Sequence, residues 1–155
     1  MRFDFCITHI MKKLYYDAKK CTACKTCEIV CAIGHSLSKD LYTAVLEENV
    51  ALPSVRVYVG QEENYPMACR HCQDHPCVQA CIAAALKYDP QEGLLFDQEK
   101  CVGCWMCVMV CPYGAVRPDF RDSKSVRCDL CADIKDPRCA KNCPTKAIMY
   151  VEEKG

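Results

Sequence analysis

The sequence predicts an α+β chain of two small, related modules, one nested within the other, each built from short hairpins and short helices. Three observations carry that expectation. Seventeen of the 155 residues are cysteine, and sixteen of them fall into four groups. These are Cys21-Cys24-Cys27-Cys31, Cys69-Cys72-Cys77-Cys81, Cys101-Cys104-Cys107-Cys111 and Cys128-Cys131-Cys139-Cys143. Residues 14–31, LYYDAKKCTACKTCEIVC, align without a gap on residues 94–111, LLFDQEKCVGCWMCVMVC, so the chain repeats itself. The apolar runs are all short and are broken by turn residues, so no segment builds a large core alone.

Residues 1–11 read as an N-terminal extension that holds His9 and the one ungrouped cysteine, Cys6. Leu14–Asp17 is a short strand leading into the first group. Segments bearing cysteines, such as Met106–Val110, read as single short helices. Residues 35–65 form a linking insertion in which Val55, Val57 and Val59 alternate, making Ser54–Val59 a strand. Ala85–Tyr88, the turn DPQEG and Leu94–Asp97 read as a hairpin between the second and third groups. Ala115–Arg117 and Lys124–Arg127 form another around PDFRDS, and Ala147–Val151 is the last strand. The second and fourth groups also resemble each other, ALKY (85–88) following one and AIMY (147–150) the other. That alternation alone allows groups one and two to pair, and three and four. The compact hairpin between groups two and three favours a nested arrangement instead. It has an inner module over 66–118 and an outer module made of 12–34 and 122–151.

Composition narrows the chemistry. Twenty basic and twenty acidic residues leave no net charge, and no basic patch points to nucleic acid. The opening residues show no cleavable apolar core, and the longest near-apolar run, ACIAAAL at 80–86, is too short to cross a bilayer. A cytoplasmic chain is expected, without direct membrane insertion and peripheral to a membrane complex only through a partner. In that compartment thiols stay reduced, so dense cysteines point to metal over disulfides.

The spacing chooses the metal. Zinc sites usually take two separate C-x2-C knuckles. In C-x2-C-x2-C-x3-C, three thiolates wrap one face of a [4Fe–4S] cube, and the fourth lies about 6 Å farther along a helix. That fourth cysteine ligates the neighbouring cube. Crossing ligands of this kind set clusters in pairs, close enough for electron transfer. Sixteen cysteines supply four [4Fe–4S] clusters with no ligand replaced, so neither a three-iron cluster nor a histidine ligand is expected. His71 and His75 beside Cys72 therefore read as hydrogen-bonding or surface residues, and His9 and His35 belong to no constellation. Trp105 reads as an aromatic shield over a cluster, and Cys6 as an incidental thiol. No nucleophile–base pair, phosphate loop or substrate pocket is evident, so the chain is not expected to be an enzyme.

With these motifs the chain resembles the sixteen-cysteine, four-cluster ferredoxins, electron-transfer subunits of anaerobic oxidoreductases, over about residues 12–151. The resemblance implies tandem, nested two-[4Fe–4S] modules of the bacterial ferredoxin type. It also implies four ligand sets. Cys21, Cys24, Cys27 and Cys143 would hold one cluster, and Cys128, Cys131, Cys139 and Cys31 its neighbour. Cys69, Cys72, Cys77 and Cys111 would hold the third, and Cys101, Cys104, Cys107 and Cys81 the fourth. The stretch CKTCEIVCAIGHS (24–36) is most similar to the ferredoxin subunit of carbon monoxide dehydrogenase. The implied partners are such a catalytic oxidoreductase, or a tungsten or molybdenum pterin enzyme acting on aldehyde or formate. A hydrogenase or flavoenzyme would be the acceptor. The remaining alternative is an iron–sulfur sensor or assembly protein. Two features depart from the family pattern. Ala32 and Ile82 stand where proline commonly follows the fourth cysteine, and the Cys131–Cys139 gap is short.

Overall fold

The computed structural model describes residues 10–89 and 93–154. Cys6, His9 and the tip of the expected DPQEG turn at 90–92 lie outside the described residues. In chain order the elements are β1 (Ile10–Tyr16), a 3-10 turn (Ala18–Lys20), α1 (Thr26–His35), α2 (Leu41–Val45), β2 (Arg56–Val59) and β3 (Asn64–Met67). Then come α3 (Pro76–Gln79), β4 (Leu86–Asp89), β5 (Gly93–Phe96), α4 (Met106–Met109), β6 (Arg117–Asp119), β7 (Lys124–Val126), α5 (Arg138–Lys141) and β8 (Ile148–Lys154).

The strands form four antiparallel pairs: β1 with β8, β2 with β3, β4 with β5, and β6 with β7. The first joins opposite ends of the chain, and the third is the expected hairpin between the second and third cysteine groups. Their registers coincide. Leu14 faces Tyr150 and Tyr16 faces Ile148, just as Leu94 faces Tyr88 and Phe96 faces Leu86. These are equivalent positions of the internal repeat. Each ladder gains one further bond, Asp17 N–H to the Ala147 carbonyl (2.8 Å) and Asp97 N–H to that of Ala85 (2.9 Å). The aspartates then fold the chain toward the cysteines. Asp17 accepts from Lys19 N–H and Asp97 from Glu99 N–H, both at 3.1 Å. They pair with Lys20 (3.2 Å) and Lys100 (2.7 Å). The repeat thus preserves a strand-to-loop joint as well as ligands.

Two-stranded ribbons are marginal alone, and here β8, β4 and β2 are backed by the cysteine-bearing helices α5, α3 and α1. Helix α1 packs on α5, and α3 on α4. Leu14, Ile148, Leu86, Leu94, Val116, Val55 and Val57 form the aliphatic part of a core whose other members are largely buried cysteines. After Cys81, Cys111 and Cys143 the chain makes the same turn. The N–H groups of Ala84, Gly114 and Lys146 donate to those cysteines' carbonyls at 3.1, 3.2 and 3.3 Å. Ile82 follows this turn as Pro112 and Pro144 do, so the missing proline changes no loop there. After Cys31 it does matter. Ala32 lets α1 continue to His35, whereas α3, α4 and α5 span four residues each.

The insertion is more structured than its single expected strand. Its β2 pairs with β3, Val57 facing Pro66, and α2 is capped by Asp40, which accepts from Tyr42 and Thr43 N–H at 3.1 Å. It straps the molecule together. Val57 N–H donates to Glu28 Oε1 (2.6 Å), Arg121 Nη1 to the Val50 carbonyl (2.9 Å), and Arg117 Nη2 to the Pro53 carbonyl.

Candidate metal centre

The loops that carry the cysteines are held in conformations that L-residues usually avoid. Ala23 and Lys25 sit at φ 56° and 58°, and Gly103 and Trp105 at 69° and 58°. His71 and His75 are at 47° and 44°, and Leu130 and Cys131 at 57° and 53°. A left-handed non-glycine residue costs roughly 1–2 kcal/mol. Alternation of left- and right-handed residues also turns successive N–H groups inward, the nest geometry that receives anions, iron–sulfur clusters included.

Further N–H groups reach the cysteine sulfurs. Ser54 donates to Cys31 Sγ (3.2 Å), Ala115 to Cys111 (3.3 Å), Leu130 to Cys128 (3.4 Å) and Arg138 to Cys131 (3.5 Å). Ser54 belongs to the insertion, which thus serves a cysteine of the first group. The insertion also supplies Asn64, whose Nδ2 donates to the Cys21 carbonyl at 2.9 Å. At the equivalent place in the repeat, Lys124 donates to the Cys101 carbonyl.

Two cavities bring particular cysteines together. One, with about 360 Å³ of empty space partly open to solvent, is lined by Cys81, Cys101, Cys104 and Cys107. The other, about 370 Å³, is lined by Cys69, Cys72, Cys77 and Cys111. Each combines three cysteines of one group with one from the other. Among the remaining eight, cysteines of the first and fourth groups lie close to one another. The Cys27 thiol feels Cys143 and Cys21, Cys31 feels Cys131, and Cys139 feels Cys31, Cys131 and Cys27. Cys128 feels Cys139, Cys69 and Cys31. Its neighbour Cys69 belongs to a cavity of the inner hairpin region.

Burial governs the thiols. It pushes Cys27 and Cys139 up to about 12 and Cys69 to about 11. Burial also opposes ionisation of Cys143, but the N–H of Ile148, the Thr145 hydroxyl and the N–H of Ala147 together bring that pKa down. Cys24 is lowered by hydrogen bonding to Thr26. His71 is pushed down to about 4, by burial first and by the Arg127 charge second.

The donor set fits [4Fe–4S] clusters. Soft thiolates in groups of four suit iron–sulfur chemistry. Buried polar atoms with no hydrogen-bond partner among the described residues also border these sites, namely Trp105 Nε1, Arg70 Nε, His71 Nε2, and Nη1 and Nη2 of Arg127. Trp105 lines the first cavity, and Arg70 and His71 the second. Nitrogen donors in those positions match the acceptor sulfurs of a cube. Trp105 also packs edge-on against Phe120, ring centroids 4.7 Å apart. His75 stacks on Tyr88 (3.8 Å) and also lines the second cavity. His35 Nε2 stands 3.5 Å from Asp129 Oδ1. The sequence did not single out Arg70, Arg127, Tyr16, Ser54 or Asn64. Their residue types carry no metal signature, and the fold alone brings them to the cysteines.

Comparison with known proteins agrees with this chemistry. Residues 61–153 match the family described as the 4Fe-4S dicluster domain. Electron transport protein HydN of Escherichia coli is 37% identical over 153 residues, covering 88% of this chain and 85% of that protein. One subunit of the anaerobic dimethyl sulfoxide reductase of Escherichia coli is 30% identical over 156 residues, covering 88% of this chain and 71% of the relative. A solved structure, the active site complex BamBC of benzoyl coenzyme A reductase in complex with zinc, shares the fold. Its TM-score is 0.52 at 22% identity, covering 94% of this chain and 81% of that one. Among the described residues no helix is long and apolar enough to cross a membrane. By its cysteine-lined cavities and by these matches, the chain belongs to the 4Fe-4S dicluster domain family.

Proposed function

We propose that this chain is a non-catalytic electron-transfer subunit carrying four [4Fe–4S] clusters in two nested modules. The observation that carries the reading is the composition of the two cavities, each lined by three cysteines of one group and one of the next. That is the crossing pattern of a two-cluster module. The inner module holds the sets Cys69, Cys72, Cys77, Cys111 and Cys101, Cys104, Cys107, Cys81. The outer module holds Cys21, Cys24, Cys27, Cys143 and Cys128, Cys131, Cys139, Cys31. Pairing of β1 with β8, in the register of β4 with β5, supports this division. When bound, each cube supplies one-electron chemistry. The chain's own groups tune it through N–H···S bonds, burial and nearby charge.

Cys24 and Cys104 are exposed, so the sets that contain them are the ends of the route. The proximity of Cys69 to Cys128 joins the modules in the middle. A catalytic oxidoreductase docks at one end and an acceptor, a hydrogenase or flavoenzyme, at the other. The stretch at 24–36 favours a carbon monoxide dehydrogenase-like partner. The second reading is a molybdenum or tungsten pterin enzyme acting on aldehyde or formate. Similarity to a subunit of a dimethyl sulfoxide reductase supports an oxidoreductase partner in either case. The test is anaerobic purification of the native complex with metal and sulfide analysis. Iron and sulfide near sixteen each per chain are expected for four cubes. Zinc without sulfide overturns the cluster assignment. Nickel in the co-purifying subunit supports the first partner, and molybdenum or tungsten the second. A chain that binds a partner but accepts no electrons is a sensor or assembly protein instead.

A further inference from the structure

We infer that Arg127 places a buried positive charge between the two inner clusters and makes them the electron-retaining half of the chain. Arg127 directly precedes Cys128 of the outer module, yet its guanidinium lies among inner-module residues. Its Cζ stands 4.1 Å from the centroid of the Phe96 ring, and Phe96 lines the cavity of Cys81, Cys101, Cys104 and Cys107. The same charge acts on Cys77 and Cys69 of one inner set and on Cys107 and Cys101 of the other. Arg127 is only 7% exposed, and Nη1 and Nη2 have no hydrogen-bond partner among the described residues. A guanidinium buried without a counter-charge is strongly unfavourable. Thiolate-ligated cubes, which are anions, supply that counter-charge on both sides.

The internal repeat provides its own comparison. Arg127-Cys128-Asp129 corresponds to Ala68-Cys69-Arg70. Where Arg127 serves the inner pair, its counterpart is the buried methyl group of Ala68. Arg70 acts on Cys72 and also on Tyr16, and Asp129, its counterpart, acts on Cys31 and also on His71, so that position favours neither pair alone. The Arg127 position, by its burial among inner-module residues, biases the inner pair toward holding negative charge. Arg127 would stabilise the one negative charge that a bound cube would gain on taking up an electron, with its four thiolates retained and no bond formed or broken. Electrons delivered by a docked oxidoreductase subunit then collect in the inner pair before passing on.

The inference rests on the cluster assignment proposed above. Its test is a dithionite redox titration of the full-length, anaerobically assembled protein, followed by electron paramagnetic resonance. Signals are assigned with Cys24→Ser, Cys72→Ser and Cys104→Ser, and iron content is measured for every variant. Arg127→Gln is expected to shift the reduction equilibrium of both inner clusters at least tenfold toward the oxidised form, about 59 mV for one electron. The cluster of Cys21, Cys24, Cys27 and Cys143 should be unmoved, and Arg127→Lys should restore most of the shift. Unchanged inner potentials at full iron content, or an equal shift of all four clusters, overturns the inference. Should Arg127→Gln fail to hold its cubes, the wild-type protein decides. The inner pair must then be reduced at higher potential than the Cys24 cluster, and the opposite order overturns the inference. Signals that do not sort into the four assigned sets instead indict the assignment.

Discussion

At the scale of single residues, burial decides how the cysteines meet iron. In the cluster-free chain Cys27, Cys139 and Cys69 keep their protons until pH reaches about 12, 12 and 11. Each must lose that proton to become a ligand, so cluster binding releases protons and strengthens as pH rises toward those values. Cluster loss to an iron chelator is therefore expected to be several-fold faster near pH 6 than near pH 8, followed by the decay of visible absorbance. An equal rate at both would show that protonation of thiols does not limit release. His71, held down to about 4 by its burial, stays neutral throughout this range. Trp105 is a second residue with a single job. It lines the Cys104 cavity and leans on Phe120, which is 75% exposed. Trp105→Ala should open that cube to oxygen and speed the bleaching of about a quarter of the cluster absorbance. Uniform bleaching of all of it would indicate general destabilisation.

At the scale of elements, the loops are more tightly specified than the hairpins. A Cβ on Gly103 would lie 2.4 Å from the Ser123 carbonyl oxygen, and φ there is +69°. Gly93 has φ +84° but nothing within 4 Å. Gly103→Ala is expected to cost about 1–3 kcal/mol from overpacking, added to roughly 1–2 kcal/mol for the left-handed backbone. It should lower bound iron by about a quarter. Gly93→Ala should carry only the backbone cost and leave iron unchanged, so thermal melts and iron assays of the two variants separate space from conformation. The β4–β5 hairpin was legible because apolar residues flank a turn sequence, and β2 because its valines alternate. Strand β3 was hidden, since NYPM shows no alternation and contains Pro66, which a two-stranded ribbon tolerates at an edge. Helix α2 was equally hidden, a five-residue element resting on one Asp40 cap. Ala32, a departure visible in the sequence, permits α1 to continue to His35. Ile82 permits the same after Cys81, yet α3 still ends at Gln79, so the length of α1 was not legible from that departure.

At the scale of the whole molecule, the proposed route runs between two unlike faces. Val102, Met109 and Phe120 lie exposed near Cys104, whereas Lys19, Lys20 and Lys25 are exposed near Cys24. Tyr16 is half-buried with its hydroxyl enclosed, the hydroxyl pKa raised by burial and then by Cys128, Cys139 and Cys69. Arg70 stacks on it at 4.7 Å and on Tyr113 at 5.5 Å. Crossing ligation makes a specific demand here. Cys111→Ser should perturb the same resonance signal as Cys77→Ser and leave the one perturbed by Cys107→Ser intact. If Cys111→Ser instead behaved like Cys107→Ser, each group would be holding its own cluster. Cysteine spacing and the ungapped repeat by themselves determined the class of metal, the number of thiolate groups and the strand-loop joints. Those features depend on residues close together in the chain. The compact hairpin already favoured groups two and three as partners, but how the insertion reaches Cys31 and Cys21 and where the Arg127 charge lies were decided only by tertiary structure. Each of these joins residues far apart in sequence, and the local pattern of one partner holds no information about where the other arrives.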